Sequence, residues 1–215
     1  VGFQPDFLWI KRTSNSEDHS LYDSVRGVQM EITSNKDNPN AETTKVNGIS
    51  SFDSDGFTVA ENNANNTSNE TYVAWGWKAG GTWVANLEGT NKSAIVNANT
   101  ANGFSIIRYT GTSASSQSVG HGLNSTPELV MIKKLSGTEG WIVWYPGAST
   151  TNYLELNTNA ATATGATWGG THSSTVVNLQ NGPSARSSGN GEDYIAYVWH
   201  SVSGYSKIGT YTGNG

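Results

Sequence analysis

Two stretches of this chain are written twice at a single spacing. PDFLWIKR (5–12) returns as PELVMIKK (127–134), and YVAWGW (72–77) returns as YIAYVW (194–199), each pair 122 residues apart (127 − 5 and 194 − 72). Two distant matches that share one offset mark an internal duplication, and a duplicated chain must build its fold from a unit that half its length can form. Between them MEITSN (30–35) matches LELNTN (154–159) at 124, a slip of two that a loop absorbs. SSFDSDGFTVAEN (50–62) loosely matches SSTVVNLQN (173–181). A third motif, GFSIIRYTG (103–111), recurs as GYSKIGTYTGNG (204–215).

The repeats read as strands. The second contains FSIIRYTG, QSVGHGL, ELVMIKKL, GWIVWYP, YLELN, STVVNL, DYIAYVWHSV and YSKIGTYTG, separated by turns rich in Gly, Asn, Ser and Thr. Short strands with a turn signal about every ten residues indicate an all-β sandwich. No segment holds a helical period for three turns, and NAETTKV (40–46) is the one short helical candidate. In YVAWGW the alternation puts Val73, Trp75 and Trp77 on one face and Tyr72, Ala74 and Gly76 on the other; the second copy repeats this with Ile195, Tyr197, Trp199 and Tyr194, Ala196, Val198. That pattern predicts a central strand buried on both sides in each copy. Pro5 and Pro127 stand at strand starts, where a missing N–H costs least. The expected fold is all-β with two tandem β-sandwich (jelly-roll or lectin-like) units, 1–102 and 103–215, joined by a hairpin around 78–102. GFSIIRYTG and GYSKIGTYTG each follow an aromatic strand; the first closes the first unit and leads into the second, and the other closes the second. The first unit then lacks its own leading strand, and its matching edge is open or filled from elsewhere.

Composition narrows function. The 12 Lys and Arg are scattered and the net charge is −5, so phosphate neutralisation has no cluster to work with and nucleic acid is not an expected partner. No apolar run approaches the roughly 20 residues of a spanning helix, and VGFQPDFLWIK is not patterned as a signal peptide. Membrane insertion is not expected. The absence of Cys removes disulfides, thiol nucleophiles and Cys-ligated zinc. With charged residues at 13%, Ser, Thr, Asn and Gly must carry the polar surface, as in rigid extracellular β-proteins, while eight Trp and nine Tyr argue for a folded chain.

The run GFQPDFLWIKR…LYDSVRG…SSFDSDGFTV…YVAWGWKAGG, followed by GFSIIRYTG…VGHGLNSTPELVMIKK…YLELNT…YIAYVWHSVSGYSKIGTYTGNG, resembles repeat units of large virion structural proteins of marine phages and cyanophages. The resemblance spans essentially the whole chain. It implies a tail-fibre-like virion component, extracellular, with a role in adhesion or architecture. Its implied partners are other virion proteins, further copies of itself (trimers most often in such fibres) and host-surface glycan. Where that pattern often carries Cys in the second aromatic strand, Gly76 and Val198 stand here. The resemblance brings no catalytic residue with it.

Glu31 and Glu155 fall in MEI and LEL, but glycoside hydrolysis needs two carboxyls across one cleft, and alternation places each on the solvent face of an edge strand. Asp53 and Asp55 in FDSDGF resemble the start of a calcium loop without its later acids, and an Asx-type turn accounts for them more simply. The four His are isolated, and no G-x-S-x-G elbow is present. A non-enzymatic module with no cofactor is therefore expected, calcium being the only weak candidate. A polysaccharide-degrading enzyme is the remote alternative, and a purely architectural spacer or capsid decoration the nearer one. Sugar binders stack rings on exposed Trp or Tyr beside Asn, Asp and Gln. The strand residues Trp9, Trp75, Trp77, Trp144 and Trp199 are expected in the core. Trp83 in AGGTWVAN, Trp168 in TGATWGGTH and Tyr145 in WYPG are the expected ligand contacts.

Overall fold

A computed structural model describes residues 1–36, 42–61 and 64–215. The strands in chain order begin with β1 Phe7–Arg12, β2 Ser20–Asp23, β3 Met30–Thr33, β4 Thr43–Thr44, β5 Ile49–Asp53 and β6 Gly56–Val59. There follow β7 Tyr72–Trp77, β8 Val84–Ala85, β9 Ile95–Asn99, β10 Phe104–Thr110, β11 Gln117–Gly120 and β12 Leu129–Lys134. The last are β13 Ile142–Trp144, β14 Asn152–Tyr153, β15 Ala163–Thr164, β16 Val176–Leu179 and β17 Asp193–Trp199. The protein is all-β, as the turn spacing required. Of the helical candidate NAETTKV, the residues up to 41 lie outside the described ones, and Thr43–Thr44 is a strand.

Two antiparallel sheets carry the fold. One has the order β4-β3-β2-β1-β7, the other β13-β12-β17-β10-β9-β8. The duplication reappears as identical register. Phe7 lies opposite Trp77 and Leu129 opposite Trp199; Leu8 faces Tyr22 as Val130 faces Trp144. Leu21 faces Ile32 as Val143 faces Leu154, and every one of these equivalences is 122 residues. This corrects the offset of 124 read for MEITSN and LELNTN. Pairing makes Leu154 the counterpart of Ile32, so Glu31 corresponds to Tyr153, and the matching Glu letters are a coincidence of type.

Alternation along these strands builds three cores. Leu8, Ile10 and Tyr22 point outward from the first sheet, under the hairpin of β5 and β6 with Phe52, Phe57 and Val59. Val130, Ile132, Tyr194, Ala196 and Val198 point outward from the second sheet, under the β11–β16 pair with Val119, Val177 and Leu179. Between the sheets, Phe7, Leu21 and Ile32 meet Phe104, Ile106, Met131 and Tyr197. Residues of both halves thus share the central core. Phe7 stacks on Tyr197 with ring centres 4.1 Å apart and on Trp77 at 5.1 Å, while Trp77 meets Trp199 edge-on at 6.0 Å. Each such pair adds about 0.5–1.5 kcal/mol beyond its buried area.

A buried polar network crosses the same interface. Arg26 donates to Asp23 at 2.5 Å, to Glu42 at 3.1 Å and to the carbonyls of Met30 and Leu21 at 2.8 and 3.2 Å. The Tyr197 hydroxyl, from the other sheet, donates to Asp23 at 2.6 Å. Nearby, buried Asp6 accepts from Ser24 Oγ, the Ala79 N–H and Asn97 Nδ2 at 2.8, 2.8 and 3.0 Å. Burial pushes the Tyr197 hydroxyl well above the usual phenol range, so it remains a donor. Charges taken this far from water persist only when fully paired.

Two expectations fail at the edges. The aromatic strands are not equivalent in burial: β17 is central, whereas β7 is an edge strand with Trp75 45% exposed. Trp75 is therefore no core residue; Trp9, Trp77 and Trp199 are half-buried and only Trp144 is buried. The terminal YSKIGTYTG forms no strand, and an isolated bridge between Val202 and Ser206 is all the pairing found there among the described residues.

Removing one partner of the Asp23–Arg26 pair strands a buried charge. Arg26→Ala is expected to lower stability by about 3–5 kcal/mol in denaturant unfolding. Tyr197→Phe, which removes one hydrogen bond to Asp23, is expected to cost about 1–3 kcal/mol. A loss of under about 1 kcal/mol for Arg26→Ala would contradict the role given to this network.

Candidate functional site

Trp83 is the one expected contact presented as a ligand would need it. It precedes β8, the outer strand of the six-stranded sheet, and is 53% exposed. Val84 and Leu87 beside it are exposed as well. Immediately after β8 the chain borders a cleft of about 380 Å3 lined by Ala85, Asn86, Leu87, Glu88, Gly122, Asn124 and Thr175. Trp83 does not itself line this cleft; it stands two residues before Ala85, the first lining residue. A flat apolar face combined with hydrogen-bonding groups fixes the orientation of a ligand.

The cleft walls are held by local bonds. Asn86 Oδ1 accepts the Glu88 N–H at 2.8 Å, and Lys92 Nζ donates to the carbonyls of Leu87 and Gly89, so the loop closes around its ammonium. Gly120 leaves room for the Asn86–Glu88 bond: a Cβ there would lie 2.1 Å from Asn86 Oδ1 and displace the Asn86 side chain. The opposite wall turns through Gly122 at φ +71° and Asn124 at φ +58°, left-handed conformations that Gly and Asn accept most readily. His121 braces this turn. Its Nδ1 accepts the Leu123 N–H at 3.1 Å and its Nε2 lies 3.1 Å from the Ser173 carbonyl, a pattern that requires the neutral ring with the proton on Nε2. Desolvation lowers its pKa, which favours that neutral form.

The other expected contacts do not join Trp83. Trp168 is 1% exposed, corrected here from a ligand contact to a core residue. Its Gly- and Thr-rich loop folds over the outer face of the second sheet, where Trp168 meets Trp144 edge-on at 5.7 Å and donates from Nε1 to the Asn152 carbonyl at 3.0 Å. No ring face is left for a sugar. Tyr145 is half-buried, with its hydroxyl 3.1 Å from Thr162 Oγ1. It follows β13, at the opposite edge of the sheet from β8.

The acidic candidates are engaged locally. Asp53 accepts from Ser51 and Thr58 hydroxyls at 2.6 and 2.7 Å, bonds that hold its carboxyl below the usual range, and Asp55 offers its carbonyl to the N–H groups of Val1 and Gly2. They shape the β5–β6 turn, and no cluster of three or more His, Asp or Glu able to hold a metal occurs among the described residues. Glu31 is buried, not solvent-facing as alternation suggested, because it accepts from the Tyr22 hydroxyl at 2.7 Å and pairs with Lys45. Glu155 pairs with Arg186 instead. Glu31 lines a small cleft that Glu155 does not border.

A larger polar cleft of about 930 Å3 was not foreseen from sequence. It is lined by Thr44, Lys45, Asn47, Glu61, Asn66, Thr67 and other small residues, with no aromatic ring among the described ones that border it. It offers hydrogen bonds without a stacking face.

Trp168→Ala is expected to cost about 3–5 kcal/mol by leaving a cavity under Trp144, read as an earlier unfolding midpoint. Beside Trp168, burial pushes His172 down to about 4, and its ring packs 4.6 Å from Trp144. The unfolded chain takes up this proton below its ordinary value of 6.5 while the folded chain does not. Stability is thus expected to fall as pH drops from about 6.5 towards 4, by up to ~3 kcal/mol from this group. His172→Phe should flatten that slope in unfolding curves; an unchanged slope would contradict the assignment.

No curated protein and no solved structure matches the chain. One family does, over residues 1–215: the domain of unknown function DUF7483. The chain belongs to the DUF7483 family.

Proposed function

We propose that this protein is a non-enzymatic structural and adhesion module of a phage virion, tail-fibre-like, that holds host-surface glycan against Trp83. The observation that carries the reading is the exposed indole of Trp83, two residues along the chain from Ala85, where the cleft of Asn86, Glu88, Asn124 and Thr175 begins. A sugar ring stacks on Trp83, and the cleft residues select among hydroxyl patterns. One such contact is shallow and weak; many copies on one particle make the attachment strong. The virion setting is supported by the motif resemblance across the chain.

The fold in this reading is a pair of tandem units packed face to face, each a sheet with its own two-stranded cover. What supports it is the shared register of β1–β7 and β12–β17. A second reading, in which the chain contacts only other virion proteins, is favoured by the unpaired edge of β7.

A glycan array probed with the whole chain tests the first reading. Trp83→Ala is expected to weaken the strongest interactions by about 2 kcal/mol, roughly thirtyfold, as truncation of a central aromatic contact does. Trp75→Ala, which removes an exposed indole elsewhere, should leave them unchanged. Binding to no glycan, or equal loss in both variants, would overturn the proposal.

A further inference from the structure

The two copies of the aromatic strand differ in one respect. β17 is paired on both sides, with β12 and with β10, whereas among the described residues β7 is paired only with β1. Because β1–β7 and β12–β17 share one register, the place beside β7 is the place that β10 fills beside β17. The β10 sequence GFSIIRYTG is written again as GYSKIGTYTG at 204–213. There it belongs to no sheet, and residues 209–215 are wholly exposed. Tyr211 is 95% exposed, while Tyr109, its counterpart in β10, is buried.

We propose that the free edge of β7 is a docking site for residues 205–212 of a second copy of this chain, which add there as an antiparallel strand. The edge is unprotected. Tyr72–Trp77 contains no charge and no Pro, and it exposes Trp75, whereas edges that must stay single usually carry Lys, Pro or a bulge. Transferring the β10–β17 register places Tyr205 opposite Trp77, Ser206 opposite Gly76, Lys207 opposite Trp75 and Ile208 opposite Ala74. Small meets small at Gly76, and the Lys207 ammonium comes over the exposed Trp75 ring as a cation–π contact. The tail has one residue more than β10 before its Tyr. A bulge at Gly209 absorbs it and brings Tyr211 to the position of Tyr109.

The occupant is a second copy because, in its own chain, the tail bonds back to Val202 and Ser201 and pairs with no described strand of the first sheet. There Ser206 is bridged to Val202 and the Ile208 N–H is bonded to Ser201 Oγ at 2.9 Å. Ser206 and Ile208 then line an apolar slot with Phe7, Trp9, Trp77 and Met131. Tyr205 and Ser206 border Gly76 and Trp77 at the end of β7, yet among the described residues no part of the tail pairs with β7 in its own chain. Donation opens these few bonds and replaces them with a strand's worth. Donor and acceptor are different surfaces, so the contact is head-to-tail and generates a row of copies. This inference goes beyond the adhesion reading and does not depend on it.

The chain contains no Cys, so introduced thiols report pairing cleanly. Ala74→Cys and Ile208→Cys, made in separate chains and mixed under mild oxidation, are expected to join as a disulfide-linked pair that reduction dissolves. The double variant should give a ladder of multimers. A shifted mixture, Ala74→Cys with Lys207→Cys, should link far less, because one residue of slip turns the side chain to the other face. Trp75→Cys with Lys207→Cys is a second in-register pair should either first variant fold poorly. Linkage only within one chain, no linkage in either in-register pair, or equal linkage in the shifted mixture would overturn the proposal.

Discussion

Phe7 stacked on Tyr197 is the contact through which the two sheets recognise each other. Phe7 opens β1 and Tyr197 sits at the centre of β17, so the stack joins the two duplicated strand pairs. The same Tyr197 hydroxyl reaches Asp23, whose other duty is to neutralise Arg26. Apolar burial and charge satisfaction therefore meet in one side chain. Sliding the sheets by one residue would break the ring stack and take the Tyr197 hydroxyl away from the buried Asp23–Arg26 pair. A buried charge network is weak evidence for stability but a strong constraint on geometry, because few arrangements satisfy every donor and acceptor. It fixes how the halves sit, and so fixes which strands are interior and which are edges.

From that arrangement follows an asymmetry that sequence similarity conceals. β7 and β17 are near copies with the same partner register, yet one is an outer strand and the other lies mid-sheet. The sheet containing β17 continues through β10 and β9 to β8, where Trp83 stands at the far edge. The sheet containing β7 stops. The two surfaces offered to the outside are accordingly unlike: an indole beside a polar cleft at one edge, and unpaired backbone with an exposed Trp75 at the other. The first is the surface proposed for a sugar, the second the surface proposed for a strand.

Much of this was legible in the letters. The shared offset of 122 located β1 with β12 and β7 with β17, and their registers coincide to the residue. The Gly- and Asn-rich turns gave the all-β class. What letters hid was set by tertiary contact. Trp168 reads as a loop residue among Gly and Thr, but its loop covers a sheet face and needs a large ring to fill it. Trp75 reads as core by alternation, but alternation does not say whether a strand has a neighbour on each side. Glu31 and Glu155 look equivalent by type, though pairing sets them two positions apart. Asp23 and Arg26 would be surface charges on composition alone, and only the crossing of Tyr197 from the other sheet explains their burial. For the candidate site, Trp83 was legible because its neighbours are small; the cleft beside it depends on Gly120 and the His121-braced turn, which come from a segment more than thirty residues away.

The central claim is that one of two equivalent strands has lost its outer neighbour, and residue-resolved amide hydrogen exchange tests it most directly. In the isolated chain, alternate amides of β7 should exchange far faster than their counterparts in β17, which bond on both sides. Adding a peptide of residues 203–213 should slow those β7 amides and leave β17 unchanged. Equal protection of β7 and β17 in the isolated chain, or no slowing of β7 with saturating peptide, would contradict the account.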